Sequence, residues 1–420
     1  MSERASSRTR NGHVPPALVA GSPSASTTPG CFPATTLGVR ETFQLSPLAG
    51  QRLLMTISCA DEGIFESRLS FDDSLEAAGT LFTHGIETVL VPVGCGPDEA
   101  QALAARRIPG LSFATESLPA LDVLADTDAD RLLDEIAASI GADLVLLHDP
   151  ALATHGRRLP QIVSCTSSPI LEWRSLHGDQ EPPPDIACRT ARECRGLHAA
   201  DLIIVPSLSF AEGLKREHGL AQLPTVVHPN AKATSASPKA RDLTHDAFIL
   251  TADPICSEGD EIAMLDRAAG RMGGVVISIG SALDICGRAV CFETIHTVGP
   301  LSTAETQGLL ARAPVFVSAT RFTSFGRIVL QAAAQGCALI LSDIPAHREF
   351  WNGAACFVPC GDEGAFAAAM RRTLEDDSHR RVLSETASRR AGTLSLNRMG
   401  NGIHAAFVSL SERGPLTAAG

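Results

Sequence analysis

The sequence predicts two α/β halves in tandem, each a parallel sheet with helices wound over both faces. Three observations carry that expectation. At 420 residues the chain is too long for one ordinary core. Short apolar runs alternate with helix-spaced stretches along both halves, the order that a doubly wound sheet requires. Between the halves, residues 230–245 are polar and aperiodic, and they read as an interdomain linker.

Residues 1–48 are rich in Ser, Thr, Pro, Ala and Gly, with neither a continuous apolar stretch nor a periodic stripe. They are expected to be a disordered leader, or the product of an early start codon. Arg4, Arg8 and Arg10 among the serines leave a transit-type role open. The first domain, 50–235, carries strand signals at 53–57, 88–93, 144–148, 161–165, 202–205 and 226–228, each a short apolar run bounded by turn residues. The second, 246–395, repeats the alternation with a strand at 248–251, a helix at 258–271 and a strand at 275–279. A capping box, Ser302 with Glu305, opens the next helix, because the serine hydroxyl and the glutamate carboxylate each satisfy an amide that the first turn leaves over. Strands at 315–318 and 338–342 bracket a helix with apolar spacing from Ile328 to Ala334. Asp362 then caps a helix that places Phe366, Ala369, Met370, Thr373 and Leu374 on one face. A last helix, within 396–412, is expected to cross back onto the first domain. Both halves are thus Rossmann-like.

Composition excludes several classes. No apolar run approaches the ~20 residues a membrane helix needs. The net charge of −12 argues against a general nucleic-acid surface, so an anionic ligand must be held by local cations against the field of the whole molecule. The 12 cysteines are scattered, with no CxxC pair and no zinc spacing, and read as small buried hydrophobes in a reducing, cytoplasmic setting with no metal. There is no tyrosine, and Trp173 and Trp351 read as core or interdomain packing.

The chemistry concentrates in 314–362. Ser324, Phe325 and Gly326 sit between a strand and a helix start, where unpaired backbone amides favour an anion. Arg327 follows directly and Arg321 precedes. His148, beside Asp149, and His228 each fall at the carboxyl end of an expected strand, as candidate acid–base groups or as plain loop residues. Arg348 and Glu349 read as a buried ion pair bracing the loop, or as ligand contacts.

Glu258 and Gly259, then Phe325 and Gly326, then Ala332 through Gly336, Ser342 and Asp343, Arg348 and Glu349, Gly353, and the turn 358–362 recur in an order and spacing that resembles one family. It is the family 4 retaining glycosyltransferases of GT-B fold, with motifs EG, E-x-F-G-x4-E, A-x3-G, SD, RE and a VPPGD-like turn. The resemblance covers about 52–410, and 199–207 looks like the strand that closes that family's N-domain. It implies two Rossmann-like domains facing a cleft, with an acceptor in the first and a nucleotide diphosphate sugar in the second. It further implies hexosyl transfer with retention to a carbohydrate or lipid-linked acceptor. No metal or other cofactor, no nucleic acid and at most peripheral membrane contact go with it. The donor-binding set carried over is Glu258, Gly259, Ser324, Phe325, Gly326, Arg327 and Gln331.

The departures from the family pattern are specific. Its two donor-site acids fall on Thr323 and Gln331, its phosphate-binding Arg and Lys near Pro254 and Asp260, and its N-domain histidine near Thr166. The loop after the first strand, 58–63, is altered as well. Thr166 and Thr323 are therefore degenerate catalytic positions. Breaking the anomeric bond puts negative charge on the diphosphate, and losing one preorganised contact to such charge costs roughly 10²–10³ in rate. Arg327 or Arg321 is the expected replacement cation. The alternative is a lapsed enzyme that serves as a binding or scaffold protein. A GT-B-shaped isomerase or phosphorylase is a third reading, the phosphorylase being disfavoured by the missing cations.

Overall fold

The computed structural model describes residues 47–58, 71–120, 126–229, 248–253, 260–280 and 290–412. The leader up to residue 46 and the linker expected at 230–245 lie outside these. The first sheet comprises β1 (Arg52–Ser58), β2 (Glu87–Val93), β3 (Leu111–Phe113), β4 (Leu144–Leu147), β5 (Gln161–Ser164), β6 (Leu202–Val205) and β7 (Thr225–Val226). The second comprises β8 (Phe248–Thr251), β9 (Val275–Ser278), β10 (Ile295–Thr297), β11 (Val315–Ser318), β12 (Ala338–Ser342) and β13 (Cys356–Val358).

Their orders are β3-β2-β1-β4-β5-β6-β7 and β10-β9-β8-β11-β12-β13, and every pairing between these strands is parallel. Six strands follow one order in both halves, so each sheet has a switch point between its first and fourth strands, where crossovers diverge and open a crevice. Residues of both sheets belong to one compact unit.

Strands β4, β5, β8, β11 and β12 are buried at every position. Helices cover both faces of such sheets, so the sequence shows continuous apolar runs rather than alternation. This is why the central strands fall where the sequence puts them. The strands not foreseen, β3, β10 and β13, are the three-residue edges. Edge strands this short carry little periodic signal, and β10 depends on a distant residue: the buried Asp266 carboxylate accepts from the backbone N–H groups of Glu293, Thr294 and Ile295 at 2.9, 2.9 and 2.8 Å. The segment 199–207 contains β6, but β6 does not close the sheet; the two-residue β7 takes the edge.

The capping box of Ser302 and Glu305 forms as expected on the helix Thr303–Leu310, and Asp362 accepts from Ala365 N at 2.9 Å to cap Glu363–Glu375. The last helix, Leu396–Glu412, does return to the first half. It buries Met399, Ile403, Ala406 and Phe407, at helical spacing, in the same cluster as Leu75 and Leu81 of the helix Phe71–Thr83, and buries Gly400 beside them. His84 and His404 stack at 3.9 Å across that contact.

Gly400 is the point of closest approach, since a Cβ there would stand 1.9 Å from Thr80 Cγ2. Inside an isolated helix Ala is favoured over Gly by about 1 kcal/mol. At this contact Gly400→Ala is expected to do the reverse and destabilise the chain by roughly 1–3 kcal/mol, because overpacking pushes the helices apart. Urea denaturation reads the sign directly, and a stabilised variant would overturn this packing.

Candidate functional site

Both switch points are pinned by a polar side chain just beyond a strand. His148 follows β4, and its backbone N–H donates to Thr56 Oγ1 of β1 at 3.0 Å while its Nδ1 hydrogen-bonds the Thr56 carbonyl. A carbonyl only accepts, so Nδ1 carries the hydrogen and Nε2 holds a lone pair. Burial disfavours the imidazolium and lowers the His148 pKa to about 4, against the opposing effect of the Thr56 bond. In the second sheet, buried Asp253 follows β8 and accepts from Ser318 Oγ at 2.6 Å and Ala319 N at 2.5 Å, joining the ends of β8 and β11.

The turn Ser324–Phe325–Gly326 connects β11 to the helix Arg327–Ala334. Thr323 Oγ1 accepts from Phe325 N at 3.3 Å, so the hydroxyl closes its own turn. The Phe325 ring is 2% exposed and meets Phe350 edge-on with centroids 4.5 Å apart. Gly326, at φ 87° and ψ 57°, makes the left-handed step into the helix, a conformation that suits glycine.

Three contacts hold this turn against the first half. Ser207 Oγ donates to the Ser324 carbonyl at 2.5 Å and accepts from Phe210 N at 3.2 Å. Glu349, from the helix Pro345–Trp351, accepts from Leu208 N and Ser209 N at 2.8 and 2.9 Å, and so caps the helix Leu208–His218 of the other half. The His228 ring, its Nδ1–H donated to the Pro206 carbonyl at 3.0 Å, meets Phe350 at 5.1 Å. Arg348 and Glu349 are therefore not a buried pair. Arg348 is exposed, makes a bidentate bond to Asp343 at 2.6 and 2.7 Å, and lies 3.9 Å over the Phe357 ring. That bond holds the Asp343 carboxyl below its ordinary range.

The halves enclose a cavity of about 60 Å³ at the carboxyl ends of the first sheet. His148, Ser164 and Thr166 line it from the first half, and Ser324, Phe325 and Arg327 from the second. Met55, Leu146 and Ile204 form its apolar floor, with Met399 and Ile403 of the last helix. Of the expected positions, Thr166, Ser324, Phe325 and Arg327 are brought together. Gly326, Thr323 and Gln331 do not border this cavity, and Gln331 lies half-buried one turn along from Arg327. Glu258 and Gly259 lie outside the described residues, as does Pro254; the helix Asp260–Met272 begins just after them. Arg321 pairs with Glu261 of that helix at 3.0 Å and reaches the turn at Gly361 rather than the cavity. Among the described residues, no group of three or more His, Cys, Asp or Glu could hold a metal ion.

A buried network begins two residues beyond Thr166, at Ser168. Ser168 Oγ donates to Glu193 Oε2 at 2.8 Å, and His218 Nε2 meets the same oxygen at 3.0 Å. Neither partner was legible as such, because Glu193 and His218 lie on separate helices. Ser207 was: a serine directly after a strand and before a helix is a standard cap signal. Trp351 is core, at 1% exposure, but Trp173 is not. It is half-buried, donates to the Gln180 carbonyl at 3.0 Å and stacks on His177.

The sequence model of the family described as glycosyl transferases group 1 matches residues 280–376, which include the turn and Arg327. No curated protein matches the chain. Among solved structures, sucrose-phosphate synthase from Thermosynechococcus elongatus is similar with a TM-score of 0.65 at 14% identity, covering 87% of this chain and 100% of that one. A glycosyltransferase from Rickettsia africae gives 0.62 at 12% identity, over 87% and 99%. HepE of Anabaena, solved with UDP and glucose, gives 0.59 at 12% identity, over 86% and 100%. At such identities the likeness establishes the fold, two parallel sheets in the GT-B arrangement.

Two predictions follow from the site geometry. Glu349→Ala should lower stability by roughly 0.5–2 kcal/mol, the usual cost of a lost cap, and should speed amide exchange at Leu208 and Ser209; unchanged protection at both would refute the cross-domain cap. His347 is fully buried, donates from Nδ1 to the Ser342 carbonyl at 2.9 Å, and like His148 has its pKa lowered by burial to about 4. Between pH 6.5 and 4 the unfolded chain binds protons that these native imidazoles refuse. Their contribution is present above about pH 6.5 and is lost as pH falls toward 4, on the order of 3 kcal/mol each. Denaturation at pH 7 and pH 5 should show the loss, with a shallower slope for His347→Phe; an equal slope would exclude His347 as a source.

Proposed function

We propose that the protein is a glycosyltransferase of the family 4 type, moving a hexosyl group from a nucleotide diphosphate sugar to a carbohydrate or lipid-linked acceptor with retention and without a metal. The observation that carries this is Arg327, a cation on the wall of the cavity that both halves share, at the start of the helix behind the Ser324–Gly326 turn. The family match over 280–376 and the GT-B arrangement support it.

The chemistry requires a group that stabilises the diphosphate more strongly as the anomeric bond breaks than before. Arg327 supplies a cation there, aided by the positive end of its helix. Gln331, one turn on, offers a neutral amide to the ribose in place of a carboxylate. The apolar floor keeps water from the reacting centre and strengthens the charge interaction. We place the reaction in the cytoplasm, in keeping with the eight free cysteines among the described residues. No helix of the described residues is long and apolar enough to cross a membrane.

Two observations favour a second reading, a donor site whose transfer activity has lapsed and which now binds or scaffolds. Arg321 is already paired with Glu261, and Thr323 uses its hydroxyl on its own turn.

Thermal shift with UDP, GDP, ADP and their sugars separates the two. A ligand at ~100 Kd adds about 2.7 kcal/mol of apparent stability, a rise of a few degrees; no shift with any of them at millimolar concentration sinks the enzyme reading. Where a nucleotide binds, Arg327→Ala should weaken it roughly tenfold or more, and an unchanged affinity would remove Arg327 from the site.

A further inference from the structure

We propose that Glu193 is a positioning residue for the shared cavity: one buried carboxylate holds Cys165 and Ser168 and so sets Thr166, which lies between them, on the first-half wall. The placement holds whatever ligand enters, and its effect on affinity rests on the nucleotide-sugar reading above.

Thr166 lines the cavity, half-buried, in the four residues that lead from β5 into the helix Pro169–His177. Cys165 still belongs to the sheet, since its N–H donates to the Ile204 carbonyl at 2.9 Å. Among the described residues the Thr166 hydroxyl makes no hydrogen bond within the chain, so its place is decided by its neighbours. On one side Ser168 Oγ donates to Glu193 Oε2 at 2.8 Å. On the other, Cys165 Sγ reaches the Ser167 carbonyl at 3.3 Å and, in a longer and weaker contact, Glu193 Oε1 at 3.9 Å. Burial, reinforced by the Glu193 charge, pushes the Cys165 thiol well above its ordinary range, which keeps it an S–H donor.

Glu193 is itself held firmly. It is 5% exposed, on the helix Pro184–Ala199, and its Oε2 also meets His218 Nε2 at 3.0 Å. An ionised carboxylate only accepts, so the imidazole donates. His198, on the same helix as Glu193, hydrogen-bonds the His218 carbonyl at 2.9 Å, which ties the two helices a second time. Gly196, one turn on from Glu193, brings that helix against the backbone, since a Cβ there would stand 1.7 Å from the Pro150 carbonyl oxygen. Gly213 likewise seats Leu171, whose Cδ1 would lie 3.0 Å from a Cβ. His218 ends the helix Leu208–His218, whose start Glu349 caps, so the clamp and the second half share one helix.

Both strong bonds to Glu193 end on Oε2, so a glutamine oxygen keeps them, whereas methionine fills the space without an acceptor. The experiment reads the Thr166 methyl by carbon-13 NMR on the full chain without ligand, in the wild type, Glu193→Gln, Glu193→Met and Ser168→Ala. One signal is expected in the wild type and in Glu193→Gln. A shifted, doubled or broadened one is expected in Glu193→Met and Ser168→Ala, with Thr88 and Thr306 unmoved. Lost stability alone lowers the melting temperature without moving a native-state signal, and if Glu193→Met does not fold, Ser168→Ala decides. An unmoved Thr166 signal in Ser168→Ala, or equal shifts at all three threonines, overturns the clamp. In calorimetry, the one of UDP-glucose, GDP-mannose and ADP-glucose that the wild type binds best should bind about tenfold more weakly to Ser168→Ala, the worth of one good hydrogen bond. Glu193→Gln should stay within twofold, and an affinity unchanged in Ser168→Ala overturns the role in binding. Wild-type protein that binds none of the three overturns the donor reading, and the methyl signals then decide the clamp by themselves.

Discussion

Glu349 accepts from two backbone N–H groups of a helix 140 or so residues earlier in the chain, and the shared cavity depends on that contact. A helix N-terminus concentrates unpaired amides and partial positive charge, and a carboxylate from the other half satisfies both. Ser207, the cap of the same helix, turns its hydroxyl hydrogen to the Ser324 carbonyl. One helix start therefore anchors both the second domain and the turn that precedes Arg327. Without that anchor the carboxyl ends of the first sheet and the turn of the second would be separate surfaces.

Charge decides what the cavity can hold. The chain has 47 acidic against 35 basic side chains, so its overall field opposes an anionic ligand. Local placement has to overcome that. Arg321 is neutralised by Glu261, and Arg348 by Asp343, each in contact with solvent, where such pairs contribute little. Arg327 lines a space whose other walls are largely apolar, where a charge acts over a lower dielectric than at the surface. His148, on the same cavity and kept neutral by burial, adds no competing charge.

The switch points show why the site lies where it does. In each sheet the first and fourth strands part, and a polar group bridges the gap: His148 to Thr56 in one, Asp253 to Ser318 and Ala319 in the other. Each bridge also removes a polar group from a crevice that would otherwise bury it unsatisfied. The difference is that Asp253 uses both carboxylate oxygens, whereas the bridge at His148 uses its backbone N–H and one ring nitrogen.

Central strands such as β6, β8, β11 and β12, the Ser302–Glu305 box, and the return of the last helix are all legible in the chain, because they follow from periods of two to four residues and from caps within one turn. The order of motifs around Phe325 and Gly326 is legible for the same reason. Edge strands were not, since three residues carry no period and Asp266 holds one of them from a distance. Nor was it legible that Arg327 rather than Arg321 would line the cavity, that Glu349 would leave Arg348 for another domain, or that the floor would include Met399 from the last helix. Those outcomes depend on which surfaces meet when two sheets and a crossing helix dock, and a side chain's facing there is set by contacts more than a hundred residues apart, which no local pattern encodes.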